Sequence, residues 1–524
     1  MSAAFFQSGS PRRGWTDGIG ILAVLTLLGA LWIVPVLPLQ DYGDWVLQGR
    51  ILAGIVADDG AAAYYDLRFW PVPPNLLAPA ILALLSGLAA PDVAGRLFLS
   101  GYILLLAAAV YRWLGPAHPA RWAGPLVAVG LFFYMGFLSW LLGLAFLVMA
   151  LPDLERAPDR STAWRLGIWA LVIYLTHGFF VGVLLLGWLV RVARREGRSL
   201  PWGELAALLP MLVLLTGYVT GGGSEGGIRF YDSLRHGLNS FRYGLMPFPR
   251  IALVDVPLPI TLFNLAWWAG LAALLWVGRA DLRLRSYRGM LLLAVVALLL
   301  FNPVYAVGRF FPVSPRLVPV AVLLVMACLS SGARRPRLAM ATTGLTLLAA
   351  GLQAGLLVTA GGRLQPDMAA LKRQYDAAPS TLVIGKVYPR DFAKSPGAAL
   401  GGVVNPFLHG YKVGVAAGNV GPVPIQTTSV LHPGGGDTLR ARMRFDSLFT
   451  ATPTLQAALE AGTWQRHRMA EVAGQIIVVG TPATRAGWVA ALSGRWLLTA
   501  QGERWSALRR IGFDGKRPRR EAGR

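Results

Sequence analysis

The chain has 524 residues, of which 55% are hydrophobic and only 14% charged. A soluble globular domain carries roughly a quarter charged residues, so that class is excluded, as are disordered, collagenous and coiled-coil chains. Lys+Arg exceed Asp+Glu by 49 to 26, a net charge of +23. All five lysines (Lys372, Lys386, Lys394, Lys412, Lys516) lie after residue 360, and before it the positive charge is arginine set between apolar runs. That pattern is loop charge in a polytopic membrane protein, and no nucleic-acid-binding stripe is expected. The single cysteine, Cys328, rules out a disulfide framework and a cysteine-ligated metal site.

A membrane-crossing helix needs about 20 mostly apolar residues. Candidate spans fall at 18–38, 73–90, 96–112, 121–135, 137–152, 164–190, 203–220, 259–278, 289–305, 315–331 and 338–360, eleven in all. The short pair 121–135 and 137–152 meets at Tyr134, Met135 and Gly136. The first run is too long for a cleaved signal peptide and is read as a retained helix.

Arginine-rich short loops stay cytoplasmic. The densest groups are Arg191, Arg194, Arg195 and Arg198; Arg279, Arg283, Arg285 and Arg288; and Arg334, Arg335 and Arg337, with Arg12 and Arg13 before the first span. Eleven spans put all of them on one side. The expected organisation is a cytoplasmic N-terminus (1–17), a transmembrane domain (18–360) and long outer loops at 39–72 and 220–258. An extracytoplasmic domain (361–514) and a basic tail (515–524) follow. The last domain reads as α/β: Thr381–Gly385 and Gln475–Gly480 are strand-like, and Pro366–Ala378 and Thr452–Ala461 helix-like. Ala486–Ala500, broken by Arg495, is too short for a further span. The fold class expected is thus an all-α polytopic membrane protein of about eleven transmembrane helices with a small α/β C-terminal extracytoplasmic domain. The helix count and arginine-rich loops point to the cytoplasmic (inner) membrane, and the Ala-, Gly- and Arg-heavy composition to a bacterial source.

Ionisable residues within spans mark transport or proton relay, and here only His177 lies mid-span, in Tyr174-Leu-Thr-His177-Gly-Phe-Phe. It either bonds a neighbouring helix, packs at a kink beside Gly178, or lines a cavity. Acidic residues gather just after the first span, in Pro38-Leu-Gln-Asp41-Tyr-Gly-Asp44-Trp-Val-Leu-Gln-Gly-Arg50. From Asp44 on, Leu47, Ile51, Leu52 and Ile55 fall at helical spacing, which suggests an amphipathic helix on the membrane surface. Two Asp three apart share one face of a turn. They can act on one acceptor hydroxyl or share a divalent cation, or Asp41 is a polar stop or helix N-cap.

A retained first span, an acidic first outer loop with a surface helix, many further spans and a soluble C-terminal domain resemble the GT-C superfamily of membrane glycosyltransferases. Trp70-Pro-Val-Pro-Pro-Asn75-Leu-Leu and Phe137-Leu-Ser-Trp140-Leu-Leu-Gly143 look like stretches of bacterial members. The resemblance covers residues 1 to about 360 as an architecture and Asp41 and Asp44 as a motif. It implies transfer of a sugar from a polyprenyl-phosphate-linked donor to a glycan, lipid or protein acceptor, with Asp41 or Asp44 as general base or metal-site carboxylate. Arginine suits the donor phosphate because its planar fork matches phosphate oxygens. The candidates are Arg229 and, beside it, Arg235 and Arg242; then Arg309; then Arg316, which caps the outer end of a span and is preferred. His177 and Asn75 are expected to line the cavity. The alternative is a non-catalytic lipid or polysaccharide transporter or assembly protein of the cell envelope. Other motifs are empty. Gly221–Gly227 has no phosphate-loop lysine, and His409, His432 and His467 have no metal-ligand spacing.

Overall fold

The first apolar run forms a 23-residue helix, α1 (Pro11–Ile33), long enough at about 1.5 Å per residue to cross a hydrocarbon layer of about 30 Å. The computed structural model describes residues 11–58, 65–67, 72–157, 159–194, 201–220, 228–230, 245–251, 253–254, 259–279, 282–301, 304–307, 314–329, 335–376, 381–385, 403–404, 413, 431–433 and 474–512. α1 stops two residues before Pro35, whose ring disfavours helix in the residue ahead of it. Its terminal carbonyls would be orphaned, and Arg96 answers them, donating to the oxygens of Leu31, Val34 and Pro35. The end of the bundle where α1 begins is called here the arginine end, and the other the domain end.

Past α1 come α2 (Tyr42–Val56), β1 (Tyr65–Leu67), α3 (Leu77–Ser86) and α4 (Pro91–Leu114). α2 is buried around most of its first half, Asp44 and Gln48 included, so it does not lie on the membrane surface as expected. α3 covers it so closely that a Cβ on Gly49 would stand 2.5 Å from Leu82 Cβ. Both ends of α3 are at the domain end. Before it, Asn75 bonds Ser139; after it, α4 starts beside Tyr42, whose hydroxyl donates to the Asp92 carbonyl at 3.2 Å. The expected span 73–90 is therefore no crossing, because its 10-residue helix begins and ends on the same side of the bundle.

α4 runs to the arginine end, where Asp17 accepts from Arg121 Nε at 2.8 Å and from the Trp122 indole at 2.7 Å. The return pass, expected as 121–135, is broken into α5 (Gly124–Ala128) and α6 (Leu131–Tyr134). α7 (Leu138–Glu155) goes back to the arginine end. α8 (Arg160–Thr176) and α9 (Gly178–Ala193) follow. The Asp153 carboxylate near the end of α7 takes Arg165 Nε (2.9 Å) and the Trp169 indole (3.0 Å) of α8, and its carbonyl takes Arg191 Nη1 (3.1 Å) of α9. α8 and α9 thus begin and end at the same place, and His177 is the tip of a helical hairpin. The single span expected at 164–190, with His177 in its middle, is corrected to two passes.

α10 (Trp202–Thr220) leaves the arginine end, where Glu204 lies 3.1 Å from Arg191 Nη2. Then come β2 (Ile228–Phe230), β3 (Arg250–Ile251), α11 (Ile260–Gly278), α12 (Tyr287–Phe301), β4 (Val304–Val307), a 3₁₀ turn (Ser314–Leu317), α13 (Val318–Cys328) and α14 (Arg335–Asp376). Among the described residues six helices are long and apolar enough to cross a membrane by themselves; Leu77–Ser86, Gly178–Ala193, Tyr287–Phe301 and Pro315–Cys328 are shorter apolar pieces. Exposed Trp15, Trp164, Trp202 and Trp276 ring the arginine end, the placement of an interfacial aromatic belt.

α14 has 42 residues, about 63 Å of helix, twice what a crossing needs. The expected end of a span at 360 and the separate helix from Pro366 are one continuous element. Gly361 serves close packing there: a Cβ would stand 2.1 Å from Val34 Cγ2. Beyond it lie β5 (Thr381–Gly385), β6 (Val403–Val404), β7 (Leu431–Pro433), β8 (Gln475–Val479), α15 (Pro482–Leu492), β9 (Trp496–Gln501) and β10 (Trp505–Arg510). The main sheet has the order β5-β8-β10-β9, with β5 and β8 parallel and β10 antiparallel to both its neighbours. Thr452–Ala461 lies outside the described residues. Short ladders join the loops of this end: β1 with β7, β3 with β6, and β2 with β4. Arg504, in the turn between β9 and β10, binds Asp367 of α14 at 2.6 Å and the Leu253 carbonyl. The chain is an all-α polytopic membrane protein followed by a small α/β domain.

Candidate active site at the domain end

Asp41 is positioned by the α6–α7 junction rather than by α1, which ends well before it. The N–H groups of Gln40 and Asp41 donate to the carbonyls of Tyr134 (2.9 Å) and Met135 (3.0 Å). The approach depends on Gly136. Its φ is +70°, and a Cβ there would stand 2.5 Å from the Tyr42 nitrogen and 2.8 Å from that of Asp41, so both conformation and space call for glycine. Asp41 occupies the N-cap position of α2, but its side chain makes no capping bond. The carboxylate is buried all the same, and the N-cap alternative is not realised.

Arg316 sits in the 3₁₀ turn ahead of α13, buried. Its Nη1 is 3.0 Å from His177 Nε2, and its Cζ lies 5.0 Å from the centre of the Phe137 ring. Its charge also interacts with that of Asp41. His177, with φ −165° and ψ 113°, is the extended joint between α8 and α9, and its Nδ1 accepts from the Phe179 N–H at 3.2 Å. The ring packs edge-on against Phe180 and beside α7, where a Cβ on Gly143 would be 3.2 Å from His177 Cβ.

Asp44 lies on the same turn, its backbone N–H donating to the Asp41 carbonyl at 3.1 Å. Its Oδ2 accepts from Gln48 Nε2 at 2.6 Å. Asn75 Oδ1 accepts from Ser139 Oγ at 3.3 Å, which ties it to the first turn of α7, two residues from Phe137. Thus His177 and Arg316 meet, the charge of buried Asp41 acts on Arg316, and Asp44 and Asn75 stand on the adjoining turns. Arg229 stands in β2 opposite Ala306; its side chain, like Arg309, Arg235 and Arg242, lies outside the described residues. So do Gly221–Gly227, His409, His467 and the side chain of His432.

The sequence reading missed Gly136, Phe137, Ser139, Gln48 and Arg96 as members or supports of this site. Phe137 and Ser139 stand in the Phe137–Gly143 stretch, and Gly136 in the junction, so signals for three of them were present.

A buried ion pair is a poor stabiliser, because desolvation offsets much of its attraction. Buried ionisable groups gathered at one end of a bundle instead mark a functional site. This one brings a carboxylate able to take a proton and a guanidinium and imidazole able to hold an oxyanion. Among the described residues no group of three His, Cys, Asp or Glu could hold a metal ion. A divalent cation would have Asp41 and Asp44 as its carboxylate ligands, and Asp44 is already engaged by Gln48.

No family model matches the chain, and no curated protein matches it. Among solved structures it is similar to the crystal structure of ArnT from Cupriavidus metallidurans in the apo state. The identity is 13%, the match covers 95% of this chain and 98% of that one, and the TM-score is 0.49.

Proposed function

We propose that the chain is a membrane glycosyltransferase that moves a sugar from a polyprenyl-phosphate-linked donor to a glycan, lipid or protein acceptor. The reading includes an inner-membrane location with the arginine end cytoplasmic and the domain end outside. There no nucleotide-sugar pool exists, and the activated donor must arrive through the lipid. The observation that carries the reading is the contact of His177 with Arg316 and the charge of Asp41 acting on that arginine, three buried groups from distant parts of the chain. In the proposed reaction Asp41 takes the proton of the acceptor hydroxyl as its oxygen bonds to the anomeric carbon. The bond from that carbon to the phosphate oxygen breaks, and Arg316 neutralises the charge left on the leaving phosphate. Asp44, held by Gln48, supports the turn that carries Asp41. The transporter alternative expects a site near the midplane between pseudo-symmetric repeats, whereas this cluster lies at one end of the bundle.

The test is transfer from a lipid-linked donor by purified, folded variants. Asp41→Asn keeps the shape and should lower the rate by roughly two to four orders of magnitude, with Asp44→Asn falling less. Near-normal turnover in Asp41→Asn would remove that carboxylate from the mechanism; near-normal turnover in both would overturn the site.

A further inference from the structure

At the arginine end several arginines are answered by carboxylates: Arg121 by Asp17, Arg165 by Asp153, Arg191 by Glu204 and Arg288 by Glu155. Arg279, Arg283, Arg285 and Arg337 are different. All four are exposed, and among the described residues none has an ion-pair partner.

The fold gathers them at one corner. Leu282 bridges Leu329, and the Arg283 N–H donates to the Cys328 carbonyl at 3.0 Å, which draws the turn between α11 and α12 onto the end of α13. A Cβ on Gly278, the last residue of α11, would stand 2.6 Å from Leu329 Cδ2 and 3.4 Å from Cδ2 of Leu338 in the first turn of α14. Arg279, Arg283 and Arg337 each adjoin one of these packed residues in the chain, and Arg285 follows two places after Arg283. The acid of the same turn, Asp281, lies outside the described residues; counted in full, it still leaves the four arginines with a charge of +3. Packing of the backbone therefore holds like charges near one another, and their repulsion falls when an anion stands among them.

The corner also has an apolar side. Arg279 Cζ lies 3.8 Å over the centre of the Trp276 ring, and its Nη1 donates to the Trp276 carbonyl at 3.3 Å. Trp276 is 68% exposed, and Leu284, between Arg283 and Arg285, is 43% exposed. Ile260–Gly278 is long and apolar enough to cross a membrane, so the patch stands at the membrane-surface end of that helix. Bare indole and leucine beside guanidiniums suit the boundary between acyl chains and headgroups, and the guanidinium fork matches phosphate oxygens. We propose that this corner binds an anionic phospholipid, its phosphate shared among Arg279, Arg283, Arg285 and Arg337 and its acyl chains lying against Trp276 and Leu284. The inference goes beyond the transferase reading and does not rest on it.

The full chain, in a neutral detergent, is titrated with phosphatidylglycerol and, separately, with phosphatidylcholine of the same acyl chains. Thermal stabilisation reports affinity, and native mass spectrometry counts the lipids retained. Phosphatidylglycerol should stabilise the protein and stay bound where phosphatidylcholine does not. Arg283→Gln combined with Arg285→Gln should lose roughly thirtyfold in affinity for phosphatidylglycerol, the weight of two basic residues at a membrane surface. Arg283→Lys combined with Arg285→Lys, which keeps the charge, should recover most of that loss. Arg112→Gln combined with Arg160→Gln removes two exposed arginines from α4 and α8 and should change the affinity little. Lipid-free melting of all three should match the wild type. Equal stabilisation by the two lipids, wild-type affinity in the Arg283→Gln, Arg285→Gln protein, or an equal loss in the Arg112→Gln, Arg160→Gln protein overturns the proposal. So does a lower lipid-free melting temperature in the former, because those arginines would then serve the fold.

Discussion

At the arginine end, Glu155 accepts from Arg288 through both Nε and Nη2 at 2.8 Å and from the Trp113 indole at 2.7 Å. Asp153 meets Arg156 and Arg165, each at 2.9 Å, and Glu204 lies against Arg191. At the domain end the buried guanidinium of Arg316 meets instead an imidazole already claimed by a backbone N–H, and the face of a phenyl ring. One end answers these arginines with carboxylate, and those groups hold the passes in register. The other sets the buried Arg316 against an imidazole nitrogen and the face of a phenyl ring.

That contrast can be broken from either side. The largest stability effect should come from Glu204→Ala, which removes a buried carboxylate from beside Arg191 and the acceptor of the Trp188 indole. Removing one partner of a buried pair costs about 3–5 kcal/mol. The variant should melt well below the wild type in detergent while each folded molecule transfers sugar normally. Unchanged melting would mean that the arginine end is not the stabilising one. Gly136→Ala should divide its effect differently. The positive φ and the contact with the Asp41 backbone imply about 1–3 kcal/mol of strain. A displacement of the carboxylate by about 1 Å can cost on the order of a hundredfold in rate, so transfer should suffer far more than melting. Equal losses in both would show that Gly136 serves only packing. The smallest effect should be that of Phe137→Leu, which removes a cation–π contact worth about 0.5–2 kcal/mol. It should weaken polyprenyl phosphate binding a few-fold with little change in melting, and unaltered affinity would exclude Phe137 from the site.

Legibility in the sequence followed the same division. Apolar run length revealed most passes, because lipid demands about 20 apolar residues wherever a lone helix crosses. Asp41, His177 and Arg316 were each visible as polar residues at or within such runs. Hydropathy could not reveal that 164–190 reverses at His177, because the hairpin tip is as buried as the middle of a span. Nor could it distinguish 73–90 from a span, since the core against α2 favours the same residues as lipid. Gly361, Gly362 and Pro366 read as a helix end, yet α14 runs through them. What brings Asp41 to Arg316 is tertiary: two backbone hydrogen bonds to the α6–α7 junction and a glycine with no side chain in the way.

The pairing of β1 with β7 has a consequence in time. Tyr65 lies opposite Pro433, so the first loop emerges long before the strand that completes its ladder has been made. At about 5–20 residues per second, synthesis of the intervening chain takes on the order of tens of seconds. Arg316 follows Asp41 after a shorter but similar wait. The membrane helices can insert in order as they are made, but the cluster between them waits for Arg316, and the ladder beside it is finished only when the last third of the chain has folded back over the first.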